Sequence, residues 1–588
     1  MEETQEHKWT NFIKNIKEKE KNTDEIDQNK LKKIKWLTFL TIVKLILMFL
    51  IAFIAIQQSS WNGLQFLVFV AEIIIIFLLS QFFFIHKTLS FIAYLLSSLL
   101  YILALSNMFS VAMTGDFVTY TIWTNILNFE ALGSMTKFLY IKVIFLIILS
   151  FLPHRQDLFK KISWSSSLIT VLIALGMLMS AFLSGVTGKT TLSGWLALYN
   201  SYEMDKKMLK DSKISNLEQE RIYQTFEHQE VSNSFDGGMG KQNVIIIFTE
   251  GLSSEVLDYN NSLNYNLTSN LTAFRNESIS FENYYNHTAA TYRGIRGQLF
   301  SSQQYVDTTE SGVEEMVRLL DTPLFSLPEL LKMNGYETEM INPEPDHKLF
   351  QTYLEQLKFD KIITNYENLK TVSDVETQKI LTDKDNYTLL LEEAMKKNTE
   401  GKSFFLSTYT CETHFDLDTA VTYGDGTNKI LNKYYAMDQA FGTFWLQFKA
   451  SPLYDNTIVV FTTDHASLTD TTYNASFQTE RTVSLTPIPL MIYYPGQAAQ
   501  VIDVGGRNSL GLTPTILDML DYEHVKNYFL GNSLFSSTIS EQEYITVLGS
   551  RFFSTKNYIQ GISEITEDST SSSVLNELKE YMKISLNQ

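Results

Sequence analysis

Asn243-Val-Ile-Ile-Ile-Phe-Thr-Glu250 is a continuous apolar run of strand length that stops at a carboxylate. Two later runs have the same form. Asn456-Thr-Ile-Val-Val-Phe-Thr-Thr-Asp464-His465 ends in an Asp-His pair, and Ser403-Phe-Phe-Leu-Ser-Thr-Tyr-Thr410 leads to His414. Strands that are apolar on both faces are typical of a parallel sheet covered by helices. Because long amphipathic segments separate the runs, we predict an α/β domain with a mostly parallel central sheet over residues 243–588.

The carboxyl ends of such strands form the crevice where ligands bind. The three runs therefore deliver four candidate ligand or acid–base side chains to one edge, namely Glu250, His414, Asp464 and His465. Carboxylates with an imidazole suit Zn, Mn or a similar divalent ion, and the missing thiolate disfavours a purely structural zinc site. Each residue alone has an ordinary alternative as a helix cap or solvated loop residue. The metal prediction rests on their joint occurrence, above all on Asp464-His465.

A candidate nucleophile lies in Tyr284-Tyr-Asn-His-Thr-Ala-Ala-Thr-Tyr-Arg-Gly-Ile-Arg-Gly297. A threonine alkoxide on a divalent ion can attack phosphorus, because the metal lowers the hydroxyl pKa and arginines neutralise the phosphate. Thr291 is the preferred nucleophile because it immediately precedes the Arg/Gly stretch, and Thr288 is the alternative. Arg293 and Arg296 are either phosphate contacts or ion pairs of the scaffold.

Five apolar stretches occupy the first third of the chain, each near the ~20 residues that a helix needs to cross a bilayer. They run from about Trp36 to Ile56, Leu64 to Ile85, Ser90 to Phe109, Lys137 to Leu152 and Ser163 to Ser184. Lysine and arginine gather before the first and fifth stretches and after the second, which marks these segments as cytoplasmic. We predict a cytoplasmic segment over residues 1–35, a five-helix transmembrane domain over 36–184, a helical extracellular linker over 185–242 and an extracellular catalytic domain over 243–588.

Composition excludes several classes of protein. The chain has 65 Asp and Glu against 47 Lys and Arg, and the net charge of -18 argues against a nucleic-acid partner. Its 45% hydrophobic and 13% aromatic content excludes disorder as the main state. Cys411 is the single cysteine, so intramolecular disulfides and cysteine-rich zinc modules are excluded.

The order of these features resembles the lipoteichoic acid synthase family of the alkaline phosphatase/sulfatase-like superfamily. The resemblance covers nearly the whole chain: five spans, a helical tether, a strand that ends in Glu, a downstream Thr and a late Asp-His. Shorter matching segments are Asp116-Phe-Val-Thr119, Thr413-His414, Pro487-Ile-Pro-Leu-Met-Ile492 and Thr513-Pro-Thr-Ile-Leu-Asp-Met-Leu520. Each segment is short and loose, and their order and spacing carry the resemblance.

The resemblance implies a set of site residues and a reaction. Glu250, Thr291, Asp464 and His465 would bind one ion, Mn2+ first and Mg2+ or Zn2+ as alternatives. Thr291 would attack phosphatidylglycerol, diacylglycerol would leave, and a hydroxyl of an envelope glycolipid or teichoic-acid-type polymer would resolve the phosphoglycerol-threonine. His414 would contact the substrate phosphate or protonate the leaving oxygen. The implied location is the plasma membrane of a Gram-positive type envelope, with the catalytic domain outside.

One segment departs from the family pattern. A Trp and an Arg are expected before Phe359-Asp-Lys361, but the chain has Asp346-His-Lys-Leu-Phe-Gln-Thr-Tyr353 there, in which His347 or Lys348 could take over substrate binding. Two alternatives to phosphoglycerol transfer therefore stay open. One is a phosphoethanolamine or other head-group transferase acting on a cell-surface glycan, and the other is a non-catalytic envelope sensor that retains the fold.

Overall fold

The structure is a computed structural model that divides into two compact units, Met1–Trp123 with Thr136–Asn200 and Thr124–Met135 with Ser201–Gln588. The described residues are 3–57, 63–81, 87–114, 117–118, 123, 135–155, 190–191, 193–196, 198–199, 202–203, 216–238, 240–304, 323–345, 348–364, 371–372, 380–414, 419–548, 551–558, 561–565 and 572–585.

The first unit is mainly helical. Its long helices are α1 (Glu3–Gln57), α2 (Gly63–Gln81), α3 (Lys87–Thr114) and α4 (Met135–Phe151). Among the described residues, two segments are long and apolar enough to cross a membrane, Gln28–Gln57 and Phe91–Met113. Two apolar helices, Gln65–Leu78 and Ile141–Phe151, are shorter. Only the first and third predicted spans therefore have the length and composition of a membrane-spanning helix among the described residues. The second and fourth correspond to the two shorter helices, and the fifth, over residues 163–184, lies outside the described residues.

An eight-stranded sheet forms the centre of the second unit. In spatial order its strands are β10 (Gln500–Asp503), β2 (Ile279–Glu282), β9 (Leu490–Tyr493), β8 (Thr457–Thr463), β1 (Asn243–Thr249), β7 (Phe404–Tyr409), β3 (Glu337–Ile341) and β4 (Lys361–Ile363). Only β9 runs against its neighbours β8 and β2, and the other pairings are parallel. The predicted α/β domain with a mostly parallel sheet is confirmed.

Helices cover both faces of this sheet, and small sheets lie beside it. The helices are α5 (Asn216–Phe226), α6 (Ser269–Arg275), α7 (Thr291–Phe300), α8 (Leu327–Met333), α9 (Lys348–Glu355), α10 (Asp383–Thr399), α11 (Lys429–Lys449), α12 (Thr471–Phe477), α13 (Leu512–Met519) and α14 (Ser572–Met582). The remaining strands are β5 (Thr371–Val372) with β6 (Ile380–Leu381), and β11 (Ile545–Leu548) with β12 (Arg551–Ser554) and β13 (Ser563–Ile565).

Strands β1 and β8 are central because both of their faces are apolar and every residue in them is buried. Along β1, Ile246 packs in the core on one face and Ile245 in the core on the other. The register pairs Thr249 with Thr463. Since each strand ends at that pair, the residues that follow, Glu250 and Asp464, leave the sheet side by side.

Part of the predicted linker packs as part of the second unit. The Phe226 ring on α5 lies 5.1 Å from the Tyr581 ring on α14. Val231 and Phe235 are buried in the same core, and the Phe235 N–H donates to Asp518 Oδ1 at 3.0 Å. Residues 216–235 therefore differ from the expected tether, because their apolar side chains are buried in the core of the second unit.

Candidate active site

Four residues predicted as metal ligands meet at the carboxyl ends of β1 and β8. The Thr291 hydroxyl donates to Glu250 Oε2 at 2.8 Å. His465 Nε2 lies 3.5 Å from Glu250 Oε1 and 3.5 Å from Asp464 Oδ2. Glu250, Asp464 and His465 are buried, and one ligand atom from each lies within 4.8 Å of the other two. The structure thus brings together side chains that are up to 215 positions apart in sequence (His465 minus Glu250).

The chemistry of this cluster fits a divalent cation. Asp464 Oδ1 accepts N–H groups from Gly251 at 2.9 Å and His465 at 2.6 Å. Asp464 Oδ2 is buried and has no hydrogen-bond partner among the described residues. His465 Nδ1 lies 2.8 Å from the Ala466 carbonyl oxygen, which can only accept, so the proton sits on Nδ1. Nε2, the nitrogen that faces the carboxylates, is therefore the one that a metal ion would use.

The electrostatics of the cluster also call for positive charge. Burial raises the pKa of Glu250 well above its usual value, and the Asp464 carboxylate raises it further. Interaction with His414 and the hydrogen bond from Thr291 act in the opposite direction. Two buried carboxylates this close hold either a proton or a cation between them at neutral pH.

Helix α7 positions the candidate nucleophile. Thr291 is its first residue, and the start of a helix is a position that favours an anion. The preceding Ala290 has a φ of 78°, a left-handed conformation that is rare for a non-glycine residue and often found at functional sites. A side chain at Gly294 would collide with the Asp464 carbonyl oxygen. Glycine at that position therefore allows α7 to rest directly on the backbone of Asp464.

His287 is a further positioning residue that sequence reasoning missed. Its side chain is buried, and Nδ1 lies 2.6 Å from Ser509 Oγ. Burial lowers the pKa of His287 to about 3, so the ring is neutral. A Cβ at Gly297 would collide with this ring. The Gly-x-x-Gly spacing on α7 was the available signal, since it marks a helix face in close contact with other groups.

Other residues of the predicted nucleophile segment point elsewhere. The Thr288 hydroxyl donates to the Val547 carbonyl at 2.9 Å, which disfavours it as the alternative nucleophile. Arg296 is only 1% exposed, and its guanidinium lies 4.7 Å from the Phe300 ring centroid. This placement favours the scaffold interpretation of Arg296. Arg293 is half-buried in the first turn of α7 and stays the candidate for a phosphate contact.

His414 lies on the segment that follows β7 and is half-buried. Its backbone is held at both ends, because its N–H donates to the Cys411 carbonyl at 2.9 Å and Lys433 Nζ donates to its carbonyl at 2.6 Å. Its effect on the pKa of Glu250 shows that it lies near the cluster. His347, the other predicted substrate contact, lies outside the described residues.

A buried pair of acids anchors the same segment and was also missed. Asp383 Oδ1 accepts the N–H groups of Cys411 at 3.1 Å and Glu412 at 3.2 Å, while Glu412 Oε2 accepts the Asp383 N–H at 2.7 Å. Burial raises the pKa of Asp383 to about 8, and the Glu412 carboxylate contributes to the rise. Acidic residues at a helix start are normally interpreted as solvated caps, so no sequence pattern indicates this pairing.

Comparison with known proteins assigns this domain to a family. Residues 242–522 match the family described as Sulfatase, so this part of the chain is a sulfatase-family domain. The resemblance to the sulfatase-like superfamily is confirmed. A solved structure from the alkaline phosphatase superfamily of Vibrio parahaemolyticus shares 19% identity with a TM-score of 0.49, covering 63% of this chain and 95% of that one.

Two curated relatives come from Bacillus subtilis (strain 168). "Lipoteichoic acid synthase-like YvgJ" is 23% identical over 368 residues, which cover 56% of this chain and 57% of the relative. "Lipoteichoic acid synthase 2" is 22% identical over 440 residues, which cover 69% and 66% respectively. The chain therefore matches less than two thirds of the length of either relative.

Proposed function

We propose that the protein is a metal-dependent phosphoglycerol transferase of the cell envelope that works through a covalent Thr291 intermediate. The observation that carries the proposal is the Thr291 hydroxyl, which donates to Glu250 at 2.8 Å inside a buried cluster of three ligand side chains. The donor in this proposal is phosphatidylglycerol and the acceptor a teichoic-acid-type polymer or glycolipid; the names of the two curated relatives support lipoteichoic acid synthesis as the type of reaction.

The residues of the cluster have distinct roles in this reaction. Glu250, Asp464, His465 and Thr291 would hold one divalent ion, with Mn2+ as the first choice and Mg2+ or Zn2+ as alternatives. When bound, such an ion lowers the pKa of a neighbouring hydroxyl and neutralises phosphate charge. The first-turn N–H groups of α7 and the Arg293 side chain would orient the phosphate oxygens.

The transfer has two steps. Thr291 Oγ1 passes its proton to Glu250 Oε2, which returns it when the threonine is released, and bonds to phosphorus. The phosphorus–oxygen bond to diacylglycerol breaks as His414 protonates the departing oxygen. An acceptor hydroxyl then passes its proton to His414 and attacks the same phosphorus. The bond from phosphorus to Thr291 breaks, and the threonine is restored.

The N-terminal unit would bring this chemistry to its lipid donor. We propose that it is the five-span membrane domain described above, with the catalytic domain on the outer face of the plasma membrane. Two described helices have the length and composition to span a bilayer, which supports the proposal. A donor that is itself a lipid gives such an anchor a function.

A second candidate is a transferase for another head group, such as phosphoethanolamine. Helix α9, which lies in the segment where the family's head-group residues are expected, contains neither Trp nor Arg. A pocket without those residues could accept a different head group on the same phosphate chemistry. Parallel assays with phosphatidylglycerol and phosphatidylethanolamine decide between the two candidates, because only one donor should release diacylglycerol.

The decisive experiment uses the purified full-length chain with Mn2+ and fluorescent phosphatidylglycerol. We expect diacylglycerol release and a phosphoglycerol adduct on the peptide that contains Thr291, and both should vanish in Thr291→Ala. Thr288→Ala is the matched control and should keep the activity, because the Thr288 hydroxyl is bonded to Val547 instead. Release that persists in Thr291→Ala would reject this nucleophile.

A further inference from the structure

A cavity of about 250 Å3 opens on the same edge of the sheet as the catalytic cluster. Its walls come from the segment after β1, the end of β2 and the residues before β9. Leu490 at the start of β9 pairs with Thr462 near the end of β8 and with Phe281 near the end of β2. The cavity and the cluster therefore share one edge, because antiparallel β9 begins where β8 and β2 end.

The cavity lies close to the cluster along the chain. Ser254 in its wall follows Glu250 by four residues, which limits the separation of their Cα atoms to about 14 Å. Between them, the Ser253 N–H donates to Ser467 Oγ at 3.0 Å and the Ser467 N–H donates to Ser253 Oγ at 2.9 Å. This reciprocal pair fixes the wall of the cavity to the segment that carries His465.

Unused hydrogen-bonding groups line the cavity. The hydroxyls of Ser254 and Thr486 and the side-chain amide of Asn260 make no hydrogen bond to any described residue. Ser254 and Thr486 are only 7% and 8% exposed, and polar groups buried to that extent normally have partners. Together the three side chains offer donors and acceptors around one small space, which is the arrangement that a hydroxyl-rich ligand requires.

The charge of the lining disfavours a phosphate. Its two carboxylates belong to Glu255 and Glu282, and its one cation is Arg275. Arg275 Nη2 already donates to Glu282 Oε1 at 2.7 Å, and its guanidinium lies 4.5 Å from the Tyr259 ring centroid. Glu255 is paired in turn with Arg481 Nη2 at 2.6 Å, so the lining offers no unpaired cation to an anion. Sugar hydroxyls need no such cation, because they can donate to the carboxylates and accept from Asn260.

We propose that this cavity binds a neutral sugar unit of the acceptor, next to the unit whose hydroxyl attacks the phosphoglycerol-threonine. The proposal rests on the proposed function and adds a substrate class to it. The cavity is below the range of about 300–1,000 Å3 that holds drug-sized ligands, so it suits a single ring and not an acyl chain. Held there, the acceptor would present its neighbouring hydroxyl to the catalytic cluster.

Binding tests the proposal without catalysis. The full-length chain, in a detergent without a sugar head group, is titrated by calorimetry with cellobiose, glycerol 3-phosphate and ethanolamine in turn. We expect binding of cellobiose alone, weakened about tenfold in Asn260→Ala and in Thr486→Val, which each remove a hydrogen-bonding group. Asn276→Ala is the matched control, since Asn276 is an exposed asparagine near the cavity that does not line it. Asn260 is itself exposed on a loop, so its truncation leaves the fold intact.

Turnover provides the second arm. The donor is phosphatidylglycerol, and the acceptor is a diacylglycerol that carries a glucose disaccharide. The assay measures the ratio of phosphoglycerol transferred to this acceptor to phosphoglycerol released by water. This ratio should fall about tenfold in Asn260→Ala and Thr486→Val and stay unchanged in Asn276→Ala. The proposal is overturned if glycerol 3-phosphate or ethanolamine binds in place of cellobiose, or if the cavity variants match the control. Sugar binding without diacylglycerol release from the parent chain would instead contradict the proposed function and leave the sugar site standing.

Discussion

Asp464 has two oxygens in unlike surroundings, and this difference determines how the site responds to metal. Oδ1 accepts several hydrogen bonds, whereas Oδ2 is buried without a partner among the described residues. An uncompensated buried charge costs several kcal/mol, so the metal-free protein carries a destabilising group at the centre of its sheet edge. A divalent ion would turn the same oxygen into a stabilising ligand.

Asp464→Asn should therefore separate the cost of the buried charge without metal from the stabilisation that a bound ion provides. In EDTA we expect the variant to unfold at the same temperature as the parent chain or higher, because the amide oxygen still accepts the bonds to Oδ1 and the charge is gone. With Mn2+ at 100 times its Kd, the parent chain should gain about 2.7 kcal/mol and the variant should gain nothing comparable. Differential scanning fluorimetry measures both. Asp521→Asn is the exposed control, and a parent-sized Mn2+ shift in Asp464→Asn would contradict the assignment.

The clustering of Glu250, Asp464 and His465 could be predicted from sequence because these residues directly follow the apolar strands β1 and β8. The roles of residues on α7 could not, because successive side chains on a helix point in different directions and only tertiary packing selects the buried face. Thr291 faces the cluster, whereas Arg296, five positions later, packs against Phe300. His287 was missed for the same reason, since nothing local shows that its ring fills the space left by Gly297.

At the level of elements, the segment after β7 is held by side chains from a distant part of the chain. Helix α10 begins at Asp383, which binds the backbone N–H groups of Cys411 and Glu412 just before His414. This contact joins two elements across 29 positions (Glu412 minus Asp383), and no local pattern encodes it. Strand β7 itself was predictable because it starts with three apolar residues, Phe404 to Leu406, and the structure buries the whole strand. The antiparallel direction of β9 was not, since strand direction depends on the connections and not on the residues in the strand.

The acid pair predicts a pH dependence of stability. Because burial raises the pKa of Asp383 to about 8, its protonated form is favoured in the folded protein. Its contribution to stability is full below the unfolded pKa of about 3.9 and is lost as pH rises through about 8. We expect Asp383→Asn to gain in unfolding temperature over the parent chain as pH increases from 5 to 9, because the amide cannot ionise. Thermal unfolding in EDTA measures this gap.

A control fixes the sign of that result. Asp425 is an exposed carboxylate whose pKa is lowered by hydrogen bonds from Thr427, so its ionisation is complete before pH 5. The gap between Asp425→Asn and the parent chain should stay constant from pH 5 to pH 9. A gap for Asp383→Asn that stays constant or shrinks over the same interval would show that the Asp383 carboxyl is already ionised at low pH.

At the level of the whole molecule, the boundary of the catalytic unit lies before the first strand of its sheet. The compact unit resumes at Ser201, and α5 packs on α14 through the Phe226–Tyr581 ring contact and an ion pair between Arg221 and Glu580. The sequence predicts the start of this unit at residue 243, because the composition changes there from polar residues to runs of β-branched residues. A polar segment with a few well-placed apolar residues can still bury them, and only the packed structure shows which ones.

Two fragments test this boundary. Ser201–Gln588 should fold in solution and show the Mn2+-dependent rise in unfolding temperature of the full chain. Asn243–Gln588 loses four buried side chains, Ile222, Phe226, Val231 and Phe235. Their burial is worth roughly 1.5–3 kcal/mol each, and their sum is comparable to the total stability of about 5–15 kcal/mol of a typical domain. We therefore expect the shorter fragment to aggregate or to unfold at a much lower temperature, as measured by circular dichroism and gel filtration.

Point variants in Ser201–Gln588 distinguish lost packing from mere shortening. Phe226→Ala should destabilise this fragment by about 3–5 kcal/mol, because it opens a cavity between α5 and α14. Leu217→Ala lies on the same helix but its side chain is 80% exposed, so it should change stability by no more than about 0.5 kcal/mol. If the two variants unfold alike, or if Asn243–Gln588 unfolds like Ser201–Gln588, then α5 is a tether after all and the catalytic unit starts at β1.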